Sequence, residues 1–283
     1  MNNAEWRHLR GVDQGALREA RLQAHYGAQW LARMARAYVA PQPDDGHTSL
    51  GWDDALDGFT THPSNNGTRL SLKIADLTLA LHGNDAPARD PSLSINGRTD
   101  AQVRQWLGGE LAARGLDPAA LDAPSPYDMP AHALARRASY DAAGSADGLS
   151  ELAAWYANAN LSLGRVRKQM MHGVTTPVCC WPHHFDLAAL TMLPKRGVDA
   201  DRYLGAGLSP GDNYYDEPYF YVSVYPKPDP VALPTLPMIG HWHTHEFVAA
   251  ISPAHKIVVQ DNQMVAADEF LHRSVALAFE VLA

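Results

Sequence analysis

From Gln14 to Tyr38, apolar side chains return at Leu17, Ala20, Ala24, Ala28, Leu31, Ala35 and Tyr38. Steps of three and four trace one face of a helix, so this segment predicts a helix, stopped by Pro41 and Pro43. The pattern changes at Leu70-Ser-Leu-Lys-Ile-Ala-Asp-Leu-Thr-Leu-Ala-Leu81, where apolar positions alternate. That period predicts a strand or hairpin limb with one buried face. Thr99-Asp-Ala-Gln102 sets a hydroxyl three residues ahead of an amide. This is a capping box; it opens a helix through Val103, Trp106, Leu107 and Leu111, with Gly115 as its stop.

A Pro-rich connection at 124–130 precedes the second half. Helical spacing returns at Leu149, Leu152, Ala153, Tyr156, Leu163 and Val166, predicting a helix over 149–170. A strand-like run goes from Thr176 into 184–193, and residues 205–212 read as turn-rich. Pro218-Tyr-Phe-Tyr-Val-Ser-Val-Tyr225 is strongly β-prone. The Pro-rich residues 226–237 predict a loop, 240–251 another strand, and 264–282 a closing helix. Each half runs helix, strands, helix, an order compatible with a diverged internal duplication. Strands that follow one another without helices between them favour antiparallel pairing, and so an α+β class with antiparallel sheets flanked by helices. The chain reads as a loose leader at 1–13 followed by a single globular α+β unit over 14–283, with 14–123 and 131–283 as its halves.

Composition narrows the function. With 46% hydrophobic residues the chain can bury a large core, and no apolar stretch approaches the roughly 20 residues of a membrane span. The opening Met1-Asn-Asn-Ala-Glu-Trp-Arg-His8 has no apolar core of a secretory signal, so a cytoplasmic protein without membrane attachment is expected. There are 23 basic residues against 31 acidic ones, with no Lys/Arg cluster, which disfavours nucleic acid. A small-molecule ligand or substrate is the expected partner. Cys179 and Cys180 are adjacent, too close in sequence for an easy disulfide, and read as small buried side chains.

The chemistry concentrates in two short histidine-rich segments, Trp181-Pro-His-His-Phe-Asp186 and His241-Trp-His-Thr-His-Glu246. If both are strands, alternation puts His241, His243 and His245 on one face and pairs His184 with Asp186. Adjacent strands would then offer imidazoles and a carboxylate to zinc, iron, manganese, copper or nickel. Such a metal would activate water or hold a substrate oxygen, as in a metal-dependent hydrolytic or oxidative enzyme, with Asp186 and Glu217 as candidate catalytic carboxylates. The competing reading is a metal-free polar pocket in a non-catalytic small-ligand-binding protein. Asp44, Asp45 and His47 form a loop that could close over either site, and Asp212, in Ser209-Pro-Gly-Asp212, has the chemistry of a turn residue. Phosphate-loop, dinucleotide and nucleophile-elbow signatures are absent from the sequence.

Around the first segment, Pro177, Val178, Trp181, Phe185, Asp186, Leu187 and Ala188 resemble the mark of an uncharacterised bacterial domain-of-unknown-function family, Ser/Thr-Pro-Val…Trp…Phe-Asp-Leu-Ala. Ser139-Tyr140-Asp141, Pro210-Gly211, Phe220-Tyr221, Tyr225-Pro226, Glu246-Phe247 and Phe270-Leu271 match further short motifs of that family in order. The resemblance brings no established activity. Where this chain has Pro182-His183-His184 that family carries Gly-Ser, and His241, His243 and His245 have no counterpart there.

Overall fold

The computed structural model describes residues 5–42, 44–83, 90–194 and 201–282. Pro43 and the first four residues of the expected leader lie outside them. The residues group into two compact units. The N-terminal unit comprises Val12–Ala153 and Cys180–Phe185; the C-terminal unit comprises Met1–Gly11, Ala154–Cys179 and Asp186–Ala283. The expected helical and β segments largely form, as an α+β fold with two antiparallel sheets and flanking helices.

In the N-terminal unit, α1 (Gln14–Tyr38) begins at Asp13, whose carboxylate accepts from the Gly15 and Ala16 amides. Five strands follow: β1 (Gly51–Asp53), β2 (Gly58–Thr60), β3 (Arg69–Lys73), β4 (Thr78–His82) and β5 (Ser92–Ser94), paired in chain order. Register sets Leu70 opposite Leu81 and Leu72 opposite Leu79, giving one leucine face that is fully buried. The alternating stretch is thus both limbs of a hairpin. Helix α2 (Asp100–Ala112) opens with the expected capping box between Thr99 and Gln102. The one-faced spacing of α1 understates its burial. Every residue from 21 to 32 is buried, and only Arg33, Arg36 and Ala37 near its end are part-exposed.

Helix α3 (Ala146–Val166) runs from the N-terminal unit into the C-terminal one. The chain then adds β6 (Val174–Thr175), β7 (Cys179–Trp181, of which Cys180 and Trp181 belong to the N-terminal unit), β8 (Asp186–Leu193), β9 (Arg202–Ser209), β10 (Tyr219–Tyr225), β11 (His241–His243) and β12 (Ala249–Pro253), then α4 (Ala254–Ile257) and α5 (Gln263–Val281). In the C-terminal unit the strand order is β11-β12-β10-β9-β8-β6. Helix α5 packs across β10, β9 and β12, burying Phe270, Leu271, Val275 and Ala278. Trp155 of α3 lies 6.1 Å from Phe220 of β10, ring centre to ring centre.

Four local expectations change. Residues 205–212 are mostly strand rather than turn, because Gly205 and Gly207 sit opposite Ser223 and Tyr221. A Cβ on Gly207 would come within 2.6 Å of the Tyr221 ring, so glycine here makes room for a cross-strand aromatic. Residues 240–251 form a hairpin rather than one strand; the chain turns at residues 244–248, with Glu246 at φ 62. Residues 182–185 are likewise a turn: Trp181 carbonyl accepts from the His184 and Phe185 amides, and Phe185 has φ 59. Residues 5–13 are no loose leader. Asn158 exchanges two 2.8 Å hydrogen bonds with the Arg7 backbone, and Gln263 holds the Leu9 backbone at 2.8 and 2.9 Å. Among the described residues, no helix is long and apolar enough to cross a membrane.

Candidate functional site

The turn at 182–185 belongs to the N-terminal unit, where α1 anchors it. His25 Nε2 and Gln29 Nε2 donate to the Pro182 carbonyl at 2.8 and 2.9 Å, and the His25 ring stacks on Phe185 at 5.0 Å. Burial pushes His25 down to about 4, against the opposing effect of the Pro182 bond. His183 and His184 have ring centres 4.1 Å apart; burial, then His184, lowers the His183 pKa. His184 therefore does not share a strand face with Asp186.

Asp186 opens β8 in the C-terminal unit and accepts a 2.5 Å hydrogen bond from the Tyr221 hydroxyl. Burial and Asp186 together push that phenol well above its ordinary range. Three strands separate β8 from β11. At about 4.8 Å per step, Asp186 is on the order of 19 Å across the sheet from His241 and His243. The proposed ligand set is thus not brought together. Among the described residues, no three His, Cys, Asp or Glu side chains are grouped to hold a metal ion. Glu217, the other candidate carboxylate, accepts from the His255 amide at 2.8 Å and pairs with its Nδ1 at 2.7 Å, at the start of α4. Asp44 accepts from Gly46, and His47 is buried with Nδ1 accepting from the Gln42 amide, so the 44–47 loop is held by its own turn chemistry.

What assembles instead is a tyrosine–histidine array on β11, an edge strand. Period-two alternation puts His241 and His243 on one face, as expected, while Trp242 turns away and donates to the Pro234 carbonyl at 2.7 Å. His245 lies beyond the strand. The partners come from the loop before β10, where Asp212 accepts from the Tyr214 and Tyr215 amides at 2.8 and 3.0 Å and from the Tyr219 hydroxyl at 2.6 Å. That turn aims Tyr215 at β11. Its hydroxyl lies 2.9 Å from His241 Nε2 and 3.1 Å from His243 Nδ1.

Donor and acceptor roles follow from the end of the array. The His245 carbonyl, 2.6 Å from His243 Nε2, can only accept, so that nitrogen carries hydrogen. In the His243 tautomer with its hydrogen on Nε2, Nδ1 accepts from the Tyr215 hydroxyl, and the Tyr215 oxygen accepts from His241 Nε2–H. The neutral His241 ring is left with a lone pair on Nδ1. Partial burial, then His243, His255 and Lys256, lowers the His241 pKa, which favours the neutral ring. Phe247 stacks on His243 at 4.3 Å, Tyr214 meets both rings edge-on, and its hydroxyl donates to Glu246.

No family model, curated protein or solved structure matches this chain.

A cleft of about 750 Å³ opens along the segment that feeds β11, walled by Leu236, Met238, Ile239, Lys256, Val259 and Phe270. Sequence reasoning found His241 and His243 but missed Tyr214 and Tyr215. Their signal was Asp212, whose turn chemistry fixes the next few residues, and two aromatics directly after it.

Proposed function

We propose that the C-terminal unit binds a small organic molecule without a metal, at the surface formed by His241, Tyr215 and His243. The observation behind this reading is the hydrogen-bond array in which the Tyr215 hydroxyl bridges His241 Nε2 and His243 Nδ1, leaving Nδ1 of the exposed His241 as the ring nitrogen outside the array. A ligand hydroxyl or other proton donor meets His241 Nδ1, and the apolar remainder lies along the neighbouring cleft. At about 750 Å³ that cleft has the size of small-molecule sites, usually a few hundred to roughly a thousand Å³. The metal-dependent alternative needs donors from β8 and from the 182–185 turn as well as from β11, and the sheet order gives it no support.

A thermal-shift screen of apolar-tailed alcohols, phenols and carboxylic acids, run with EDTA, tests the proposal. Binding raises the melting midpoint by mass action. The expected result is a stabilising compound whose effect is lost in His241→Ala and weakened in Tyr215→Phe, which keeps the ring but loses the bridge. A screen whose shifts all survive in His241→Ala would sink the proposal. Shifts that vanish with EDTA and return with Zn²⁺ or Mn²⁺ would replace it with the metal-dependent reading.

A further inference from the structure

The N-terminal unit holds a second cavity, of about 290 Å³, that the array on β11 does not touch. One wall is a single stripe of α1: Tyr26, Gln29, Trp30, Arg33 and Arg36 follow steps of three and four, so they share a face. Beyond residue 20 the part-exposed positions of this helix are Arg33, Arg36 and Ala37, and both arginines line the cavity. Across from them the wall is Ser125, Met129, Leu134, Ala135 and Arg137. Three arginines and one carboxylate, Asp100, therefore line the cavity, and Asp100 accepts a 2.9 Å bond from the Tyr140 hydroxyl.

After Arg104, Arg33 also acts electrostatically on the Asp122 carboxylate and helps to lower its pKa. Arg33 is held flat, with its guanidinium carbon 4.4 Å from the centre of the Trp30 ring. Arg36 has a buried Nε without a hydrogen-bond partner. Beside it, Tyr127 donates to Gln29 Oε1 at 2.8 Å while its oxygen remains an acceptor for Arg36. Gln29 in turn spends its amide on the Pro182 carbonyl. Arg33 and Arg36 are part-exposed and Arg137 is exposed, and together they outnumber the one carboxylate of the lining; an oxyanion would offset their mutual repulsion through forked, charge-assisted hydrogen bonds.

The geometry points to a binding site for a small organic anion, with a carboxylate or phosphate held by Arg33, Arg36 and Arg137 and a hydroxyl donor directed at Asp100. The arginines surround a concavity rather than lining a surface stripe, which selects a small anion over a nucleic-acid backbone. Met129 and Leu134 supply apolar contact for the carbon skeleton. This inference is independent of the reading of His241 and stands or falls without it.

Titration calorimetry of the full chain with inorganic phosphate, glycerol 3-phosphate and citrate, against chloride at matched ionic strength, tests the site. Phosphate compounds and citrate distinguish the two oxyanion sources. At least one of the three is expected to bind the wild type, with affinity falling tenfold or more in Arg36→Gln and in Arg33→Gln. Arg137→Gln, at an exposed position, keeps the test valid if the helix variants misfold and should weaken the same ligand several-fold. Arg69→Gln, on the exposed surface of β3, should leave binding unchanged. Absence of binding by all three probes, or equal binding by wild type and Arg137→Gln together with whichever helix variants fold, would overturn the proposal.

Discussion

Lowering the pH from 7.5 to 4.5 should weaken the N-terminal unit through His25 in particular. The ring is only 5% exposed, so solvent screening gives little relief. Burial holds its pKa at about 4 instead of 6.5, even though the Pro182 carbonyl favours the charged form. In the unfolded chain the imidazole takes up a proton as pH drops below 6.5; in the folded unit it stays neutral down to about 4. The unfolded state therefore binds more protons in that window, and stability must fall with falling pH. The contribution is fully present above 6.5 and is lost at about 1.4 kcal/mol per pH unit on the way down, roughly 3 kcal/mol in total. Against a typical domain stability of about 5–15 kcal/mol, this is a readily measured effect. Urea unfolding followed by tryptophan fluorescence, at half-unit steps from pH 7.5 to 4.5, gives the stability curve for wild type and for His25→Gln. The carboxylates, His183 and His241 remain in both proteins and cancel in the difference. The wild-type curve should drop more steeply by close to one proton between pH 6.5 and 4.5. Parallel curves would refute the assignment of His25 as a buried neutral imidazole.

Two further perturbations probe the packing that places the sites. Gly207→Ala drives a Cβ to 2.6 Å from the Tyr221 ring and 2.8 Å from the Ala188 Cβ, so it should cost about 1–3 kcal/mol by overpacking, read as a lowered melting midpoint. A midpoint equal to wild type would show that β10 gives way easily. Thr99→Ala removes the hydroxyl that caps α2 and should cost about 1 kcal/mol in a denaturant titration, while Thr99→Ser should recover most of it.

Much of the fold could be read from local pattern. The bounds of α1, the capping box on α2 and the hairpin around Leu70 and Leu81 are each set by neighbouring residues through backbone geometry. The misreadings arose where distant contacts decide. Gly205 and Gly207 read as turn residues until the Tyr221 ring is set beside them. Residues 181–186 and 240–251 read as continuous strands because their composition is β-prone, although a few positive-φ residues bend both. The His241 and His243 face was legible, since a strand's period of two needs no partner strand. Tyr215 was not, because it reaches them across 26 residues by hydrogen bonding.

By itself the sequence determined which residues share a helix stripe or a strand face, where helices start, and which side chains bring chemistry. Those properties repeat at 3.6 or 2 residues and depend on the backbone alone. Only the tertiary structure decided that β8 and β11 lie three strands apart, that Asp212 aims Tyr215 at two histidines, that α1 buries His25, and that three arginines face one cavity. Strand order and the walls of a cavity come from contacts between residues far apart in the chain, and no local period encodes them.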